Sequence, residues 1–154
     1  MDNKKIEKSG LTILKEKPEE ITKDDFFKML VKSKNGLNLK VARIGNTYKS
    51  KYKNKDGNSK LGFFIDYEFE YDNKNYMVGI NYNVGTETKP ETFVLTSQMN
   101  LFKILSITTD LSRADEIEVT KKFIEDQLTG IKFRAETDTA FNGVFIIKPV
   151  ELLD

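Results

Sequence analysis

The sequence predicts a mainly β fold with short helices, of the α+β class. Two stretches, LGFFIDYEFEY at 61–71 and YMVGINYNV at 76–84, alternate apolar and polar side chains with a period of two. The turn-forming residues DNKN separate them. Apolar residues at helical spacing are confined to three short segments. This pattern indicates a central antiparallel hairpin with one buried and one solvated face, with little helix around it.

Residues 1–36 are predicted to form a polar arm followed by one amphipathic helix. The arm carries one apolar group, LTIL at 11–14. The helix is predicted within TKDDFFKMLVKSKNG at 22–36, where Thr22 begins a capping-box-like start and the final glycine ends the segment. We interpret residues 37–154 as one further domain.

The first part of that domain changes to strand periodicity. LNLKVARI at 37–44 alternates until Ile44, which falls out of phase and predicts a bulge near Ala42–Arg43. NTYKSKYKNKDGNSK at 46–60 is predicted to be a loop that contains the turn signal KDGNSK.

The C-terminal half adds further short elements. Proline is tolerated only at the edge or end of a sheet strand, so Pro149 predicts an edge position for the last strand. The predicted elements are, in order, a strand at 92–96, a helix capped by Ser97, an irregular polar connection at 108–119, a helix at 120–130 with Phe123 facing inward, and strands at 131–138 and 144–150.

After the first helix, the predicted order is strand, long loop, strand, strand, helical segment, strand, strand. This is the order of the OB-fold, a five-stranded barrel. We therefore predict an OB-like five-stranded antiparallel barrel plus an N-terminal helix. The alternative is an open antiparallel sheet with helices on one face, because the strand at 92–96 and the second helix exceed the minimal OB pattern.

One resemblance supports the same fold. TFVLTSQMNLFKILSI followed by TKKFIEDQLTGIKFRAET resembles a pattern in small replication-module proteins of phages and mobile elements, which ends in LxGxxFxA. Leu128, Gly130, Phe133 and Ala135 hold those positions here. Several such proteins bind single-stranded DNA through OB-like barrels. The resemblance covers the C-terminal part of the chain and implies a packing pattern, so no binding residue is carried over from it.

The composition narrows the function classes. The chain has no cysteine and no histidine, which excludes thiolate metal sites, cysteine nucleophiles and histidine acid–base catalysis. The net charge of +1 provides no global basic field, so attraction for nucleic acid requires a local patch. With no signal-peptide or membrane-spanning pattern, we expect a non-enzymatic cytoplasmic protein of a bacterial or phage-infected cell, without cofactor or metal.

The stretch at 46–60 is the best candidate for a binding site. In an OB-like barrel, 46–60 and 136–143 are the loops that flank the ligand groove, where cations follow phosphates and rings stack on bases. The acids of strand 61–71 would repel phosphate, and a solvated hairpin tip is the alternative interpretation of the lysines. The predicted contacts to single-stranded DNA are Tyr48, Lys49, Lys51, Tyr52, Lys53, Lys55, Lys60, Phe64, Lys132, Arg134 and Phe141.

A second function class stays open. The chain is alternatively a protein-interaction, accessory or inhibitor module that docks on a replication or recombination protein. The expected docking residues are Leu11 and Leu14 of the arm and Phe26 and Phe27 of the helix. The sequence specifies neither the partner nor the oligomeric state.

Overall fold

The structure is a computed structural model that describes residues 6–140 and 142–154. These residues form a mainly β fold with short helices and open sheets, which confirms the predicted α+β class. The elements are β1 (Ile6–Lys8), β2 (Leu11–Ile13), β3 (Glu19–Glu20), α1 (Lys23–Lys32), β4 (Leu37–Ile44), β5 (Tyr48–Lys53), β6 (Ser59–Tyr71), β7 (Lys74–Gly85), β8 (Glu87–Lys89), β9 (Thr92–Thr96), α2 (Asn100–Leu105), β10 (Glu116–Thr120), α3 (Lys121–Leu128), β11 (Lys132–Thr139) and β12 (Phe145–Leu153).

Helix α1 forms where the sequence predicts it. The Thr22 side-chain oxygen accepts a hydrogen bond from the backbone N–H of Asp25 at 3.1 Å, which satisfies one of the free donors of the first turn. The helix buries Phe26, Phe27 and Leu30. These side chains join the core of the sheet, so α1 packs with residues 37–154 although it lies with the arm in sequence.

The larger sheet has the strand order β12-β11-β4-β6-β7-β3, with β5 paired to the beginning of β6. Its neighbours are antiparallel except β3 and β7, which are parallel. A register shift between Val41 and Arg43 confirms the predicted bulge. Strand β12 lies at the edge of the sheet, which confirms the position predicted from Pro149.

Strands β6 and β7 form the predicted hairpin. Asp72 and Asn73 both have positive φ, 52° and 61°, as a tight two-residue turn between twisted strands requires. Every second side chain of β6 points into the core; these are Leu61, Phe63, Ile65, Tyr67 and Phe69. We call the opposite side of the larger sheet the outer face; on β6 it carries Phe64, Asp66, Glu68 and Glu70.

A smaller sheet has the order β10-β9-β8. The prediction of an irregular connection at 108–119 is wrong at its end, because β10 pairs with β9 from Glu116 opposite Thr96 to Thr120 opposite Thr92. The alternation in EIEVT covers five residues with two glutamates among them, so only the pairing with β9 distinguishes it from a solvated connection.

The other two helices lie within the predicted segments, with two corrections. Helix α2 has no side-chain cap, so Ser97 is not its N-cap. The Thr120 side-chain oxygen does cap α3, accepting from the N–H of Phe123 at 3.1 Å. The Phe123 ring is 38% exposed instead of facing inward, because the buried side of this short helix is filled by Ile124 and Leu128.

Strands β7 and β12 do not pair with each other within the described residues. No closed barrel is found there, and the five-stranded OB barrel is not confirmed. Helix α2 packs against both strands. Buried side chains from both sheets and from α1, α2 and α3 form one core cluster.

Candidate functional site

Residues 46–60, predicted to be a loop, contain a β-hairpin. Strand β5 pairs with the beginning of β6. The Asn54 side-chain oxygen closes the turn by accepting the backbone N–H groups of Asp56 and Asn58, each at 3.0 Å. The stretch is therefore a regular extension of the sheet, and we call residues 48–60 the lysine hairpin.

The lysine hairpin presents local positive charge to solvent. It carries five exposed lysines and one aspartate, Asp56, an excess of four positive charges. No ion pair joins these lysines to another described residue. The lysines are Lys49, Lys51, Lys53, Lys55 and Lys60. This concentration supplies the local patch that the net charge of +1 does not reveal.

Two aromatic rings stack on the outer face at the base of the lysine hairpin. The Tyr48 and Phe64 ring centroids lie 5.8 Å apart with an interplanar angle of 26°. The Tyr48 hydroxyl donates a hydrogen bond to the side-chain oxygen of Asn81 on β7. It crosses β6 over Gly62, where a Cβ would lie 3.1 Å from the hydroxyl oxygen. We call Tyr48, Phe64 and Asn81 together the aromatic step. Its Phe64 side chain remains 46% exposed.

Tyr52 lies farther along the lysine hairpin. Its side chain is 61% exposed, and the ammonium of Lys51 lies 5.4 Å from its ring centroid. An exposed ring beside a cation offers a stacking surface and a phosphate contact at the same place.

A buried lysine, Lys121 of α3, fixes the base of the lysine hairpin. Its ammonium donates to the backbone oxygen of Gly45 at 2.7 Å and lies 5.0 Å from the Phe63 ring centroid. The Gly45 N–H donates to the backbone oxygen of Phe64 at 2.8 Å. Nothing in the sequence marks Lys121 as buried, because a lysine in the first turn of a helix has the same local pattern as a solvated residue.

The acids of β6 occupy the rest of the outer face, as the alternation predicts. Arg43 pairs with Asp66 at 3.2 Å, and Lys40 lies opposite Glu68 in the register of β4 and β6. Glu70 lies still farther from Phe64 along the strand. The outer face thus has one end, at the lysine hairpin, with lysines and aromatic rings, and another end where acidic side chains lie opposite lysine and arginine side chains.

The structure does not bring Lys132 or Arg134 to the lysine hairpin. Lys132 lies opposite Lys40, at the end of the outer face that carries the acids. The Arg134 guanidinium is held by Glu136 at 2.9 Å and Glu151 at 3.5 Å, so it serves the packing of β11 and β12. Phe141, the remaining predicted contact, lies outside the described residues.

A groove of about 540 Å³ continues from the aromatic step toward the β11–β12 turn. Asn81 and Asn83 of β7 form one side, and Asn100 and Lys103 of α2 contribute to the other. The groove lies between β7 and the β11–β12 hairpin, where β7 and β12 would pair in a fully closed barrel. Its lining also includes Asp138, which offsets the charge of Lys103, so this groove offers a polar chain hydrogen bonds from amide groups without an excess of positive charge.

The predicted docking residues divide into two groups. Leu11 and Leu14 of the arm are 55% and 68% exposed and available for contact. Phe26 and Phe27 are buried at 0% and 5% exposure, so the prediction that they project from α1 to dock on a partner does not agree with the fold, although Phe27 lines a groove beside α1. Their helical spacing is explained by the core that α1 shares with the sheet.

None of the described helices is long and apolar enough to cross a membrane; the longest, α1, has ten residues.

The comparisons with known proteins give no family. No protein-family model, no curated protein and no solved structure matches the chain.

Proposed function

We propose that the chain is a non-enzymatic protein that binds single-stranded DNA with low sequence specificity through the lysine hairpin and the aromatic step. The observation that carries this proposal is the stacked pair of Tyr48 and Phe64 beside five lysines without ion pairs to described residues. Single strands are held by cations along the phosphates and by rings on the bases, and both occur together here. A function in the replication module of a phage or mobile element is the corresponding biological setting.

The fold that fits this proposal is an OB-like barrel that stays open between its third and fifth strands. Its support is the order of pairing, in which β4 lies between β11 and β6, and β7 follows β6. The OB ligand face is centred on strands two and three and their adjoining loops. In this correspondence β6 and β7 are strands two and three, and the lysine hairpin extends the connection between strands one and two.

Neutralising the lysine hairpin is expected to weaken DNA binding and its salt dependence together. For single strands, each phosphate contact contributes about −0.7 to the slope of log affinity against log salt, so Lys51→Ala, Lys53→Ala and Lys55→Ala combined should flatten the slope by about 2. We expect roughly a tenfold or greater loss of affinity at about 0.1 M salt. The measurement is fluorescence polarisation of a labelled oligothymidylate of about thirty nucleotides over a salt series.

A matched control removes the same number of positive charges from a different surface, that of α1. The triple replacement Lys23→Ala, Lys28→Ala and Lys32→Ala on α1 should leave the slope nearly unchanged. Tyr52→Ala should lower affinity by about 1–3 kcal/mol with the slope retained, because stacking is not a counterion effect. The absence of saturable binding at low salt would end the proposal. Equal changes in affinity and slope for the two triple variants would show that the lysine hairpin is not the binding site.

A second candidate function is docking on a replication or recombination protein, favoured by the exposed Leu11 and Leu14 of the arm. Since α1 belongs to the core, the informative deletion is residues 1–17, which leaves α1 in place. We expect this variant to keep its oligonucleotide affinity. If it also keeps its binding to purified replication proteins that capture the full chain, the arm is not the docking element.

A further inference from the structure

An apolar groove of about 570 Å³ lies between α1 and the beginning of β12, and it shares no lining residue with the lysine hairpin. Phe27 and Phe145 form its floor, with ring centroids 6.0 Å apart. Val31 and Val144 form its walls. Phe145, Val31 and Val144 are 47%, 56% and 45% exposed. Adjacent apolar side chains left in solvent mark an interaction surface more often than scattered ones do.

The rim of this groove is positively charged. Lys23, Lys28 and Lys32 line it, against one acid, Asp24. No ion pair ties these three lysines to another residue in the described part of the chain. Lys28 and Lys32 are one helical turn apart, so their side chains lie next to each other on α1. The groove therefore combines an apolar floor with an excess of positive charge.

We propose that this groove binds an acidic, apolar segment of a partner protein. The partner's aliphatic or aromatic side chains would lie between Val31 and Val144, and its carboxylates would face Lys23, Lys28 and Lys32. Apolar anchors supply affinity in such grooves, and complementary charge at the rim selects the partner and speeds association. The inference is independent of DNA binding by the lysine hairpin.

Charge argues against one of the two other available occupants, and the shortage of exposed rings argues against the other. The arm, from the same chain or a second copy, offers exposed Leu11 and Leu14, but residues 1–17 carry five lysines against three acids and have the same sign as the rim. A single-stranded nucleic acid has the right sign. However, among the described lining residues Phe145 is the one exposed ring, and Phe27 stacks against one of its faces. Successive bases need successive rings, so the groove supports little base stacking.

The test uses two labelled peptides of about fourteen residues, or four helical turns, that share Leu and Phe on one face. One carries Asp and Glu on its other positions, and the other carries Lys. Fluorescence polarisation with the full chain should show saturable binding of the acidic peptide and at least about tenfold weaker binding of the basic one. Val144→Asp should weaken the acidic peptide about tenfold, since it places a carboxylate in the apolar contact.

Val150→Asp is the matched control, because it makes the same change at a similarly exposed valine of β12 that does not line the groove; the affinity of this variant for the acidic peptide should equal that of the parent chain. Lys28→Glu with Lys32→Glu is the second variant, which alters only exposed charge and should reverse the preference between the peptides. Absence of binding near 100 µM, equal binding of both peptides, or unchanged affinity in both groove variants would overturn the inference. Displacement of the peptide by oligothymidylate would also overturn it, as would a self-association that Val144→Asp abolishes in sedimentation experiments.

Discussion

Replacing Gly36 with alanine is expected to destabilise the fold by about 2–5 kcal/mol, the sum of left-handed backbone strain and overpacking. Gly36 has φ of +76°, which an L side chain adopts only with strain. An added Cβ would lie 2.2 Å from the carbonyl oxygen of Ala135 and 3.1 Å from its carbonyl carbon. Ala135 belongs to a central strand that pairs with Leu37 on one side and Pro149 on the other, so its backbone cannot move aside freely.

Gly130→Ala provides the matched control. Gly130 also lies between a helix and a strand of the larger sheet and has φ of +84°, but no atom lies within 4 Å of its added Cβ. Only the backbone strain remains, and we expect about 1–2 kcal/mol. Urea unfolding followed by circular dichroism gives both free energies of unfolding. Equal losses in the two variants would show that the contact with Ala135 relaxes.

The sequence predicts best the elements whose pattern is local. The alternation in β6 and the cap at Thr22 each belong to neighbouring residues, and both are confirmed. The bulge after Val41 and the edge position of Pro149 are also confirmed, because each follows from a property of the residues themselves.

Elements that depend on distant partners could not be predicted in the same way. Strand β10 has five residues, of which two are apolar, and it becomes a strand through its pairing with β9. Four of the six residues of β5 are lysine or serine, and the segment becomes a strand by pairing with β6. Whether β7 reaches β12 depends on how α2 packs between them, which no local period encodes.

The candidate site was predicted in part for the same reason. The lysines were visible in the sequence, but the aromatic step required Tyr48, Phe64 and Asn81 to meet across three strands. One signal was present, since Gly62 interrupts a strand where a close approach of another group is the usual explanation. Arg134 is predicted as a DNA contact, but Glu136 lies on the same face of the same strand, and its second carboxylate partner, Glu151, can be assigned only once the pairing of β11 and β12 is known.

The stability of the fold is expected to fall steeply above pH 10 through two buried tyrosines. Tyr67 on β6 and Tyr82 on β7 are 0% and 4% exposed, and their hydroxyl oxygens are 2.7 Å apart. Burial raises the pKa of Tyr67, and the neighbouring Tyr82 raises it further. Burial also raises the pKa of Tyr82 and outweighs the opposing effect of its hydrogen bond to Tyr67. Both phenols therefore stay neutral in the fold where free tyrosines ionise.

The direction of this pH dependence follows from the number of protons that the folded and unfolded states bind. In the unfolded chain both phenols ionise near pH 10, whereas the folded chain keeps its protons. Above that pH the unfolded state binds fewer protons, so the free energy of unfolding decreases as pH rises. The stabilisation is fully present below the unfolded pKa and is lost above it. Two such groups reduce the free energy of unfolding by up to about 2.7 kcal/mol for each further pH unit, until the folded pKa values are reached.

The double variant Tyr67→Phe and Tyr82→Phe isolates this effect from the titration of the other tyrosines and the lysines, which both proteins retain. Near pH 8 its free energy of unfolding should be close to that of the parent chain, since both members of a buried hydrogen bond are removed together; either single variant should lose about 1–3 kcal/mol by leaving one hydroxyl unpaired. Between pH 8 and pH 11 the double variant should gain about 3 kcal/mol relative to the parent chain in urea unfolding. Parallel pH profiles would mean that the pair ionises inside the folded protein, because only then would the folded and unfolded states release these protons over the same range.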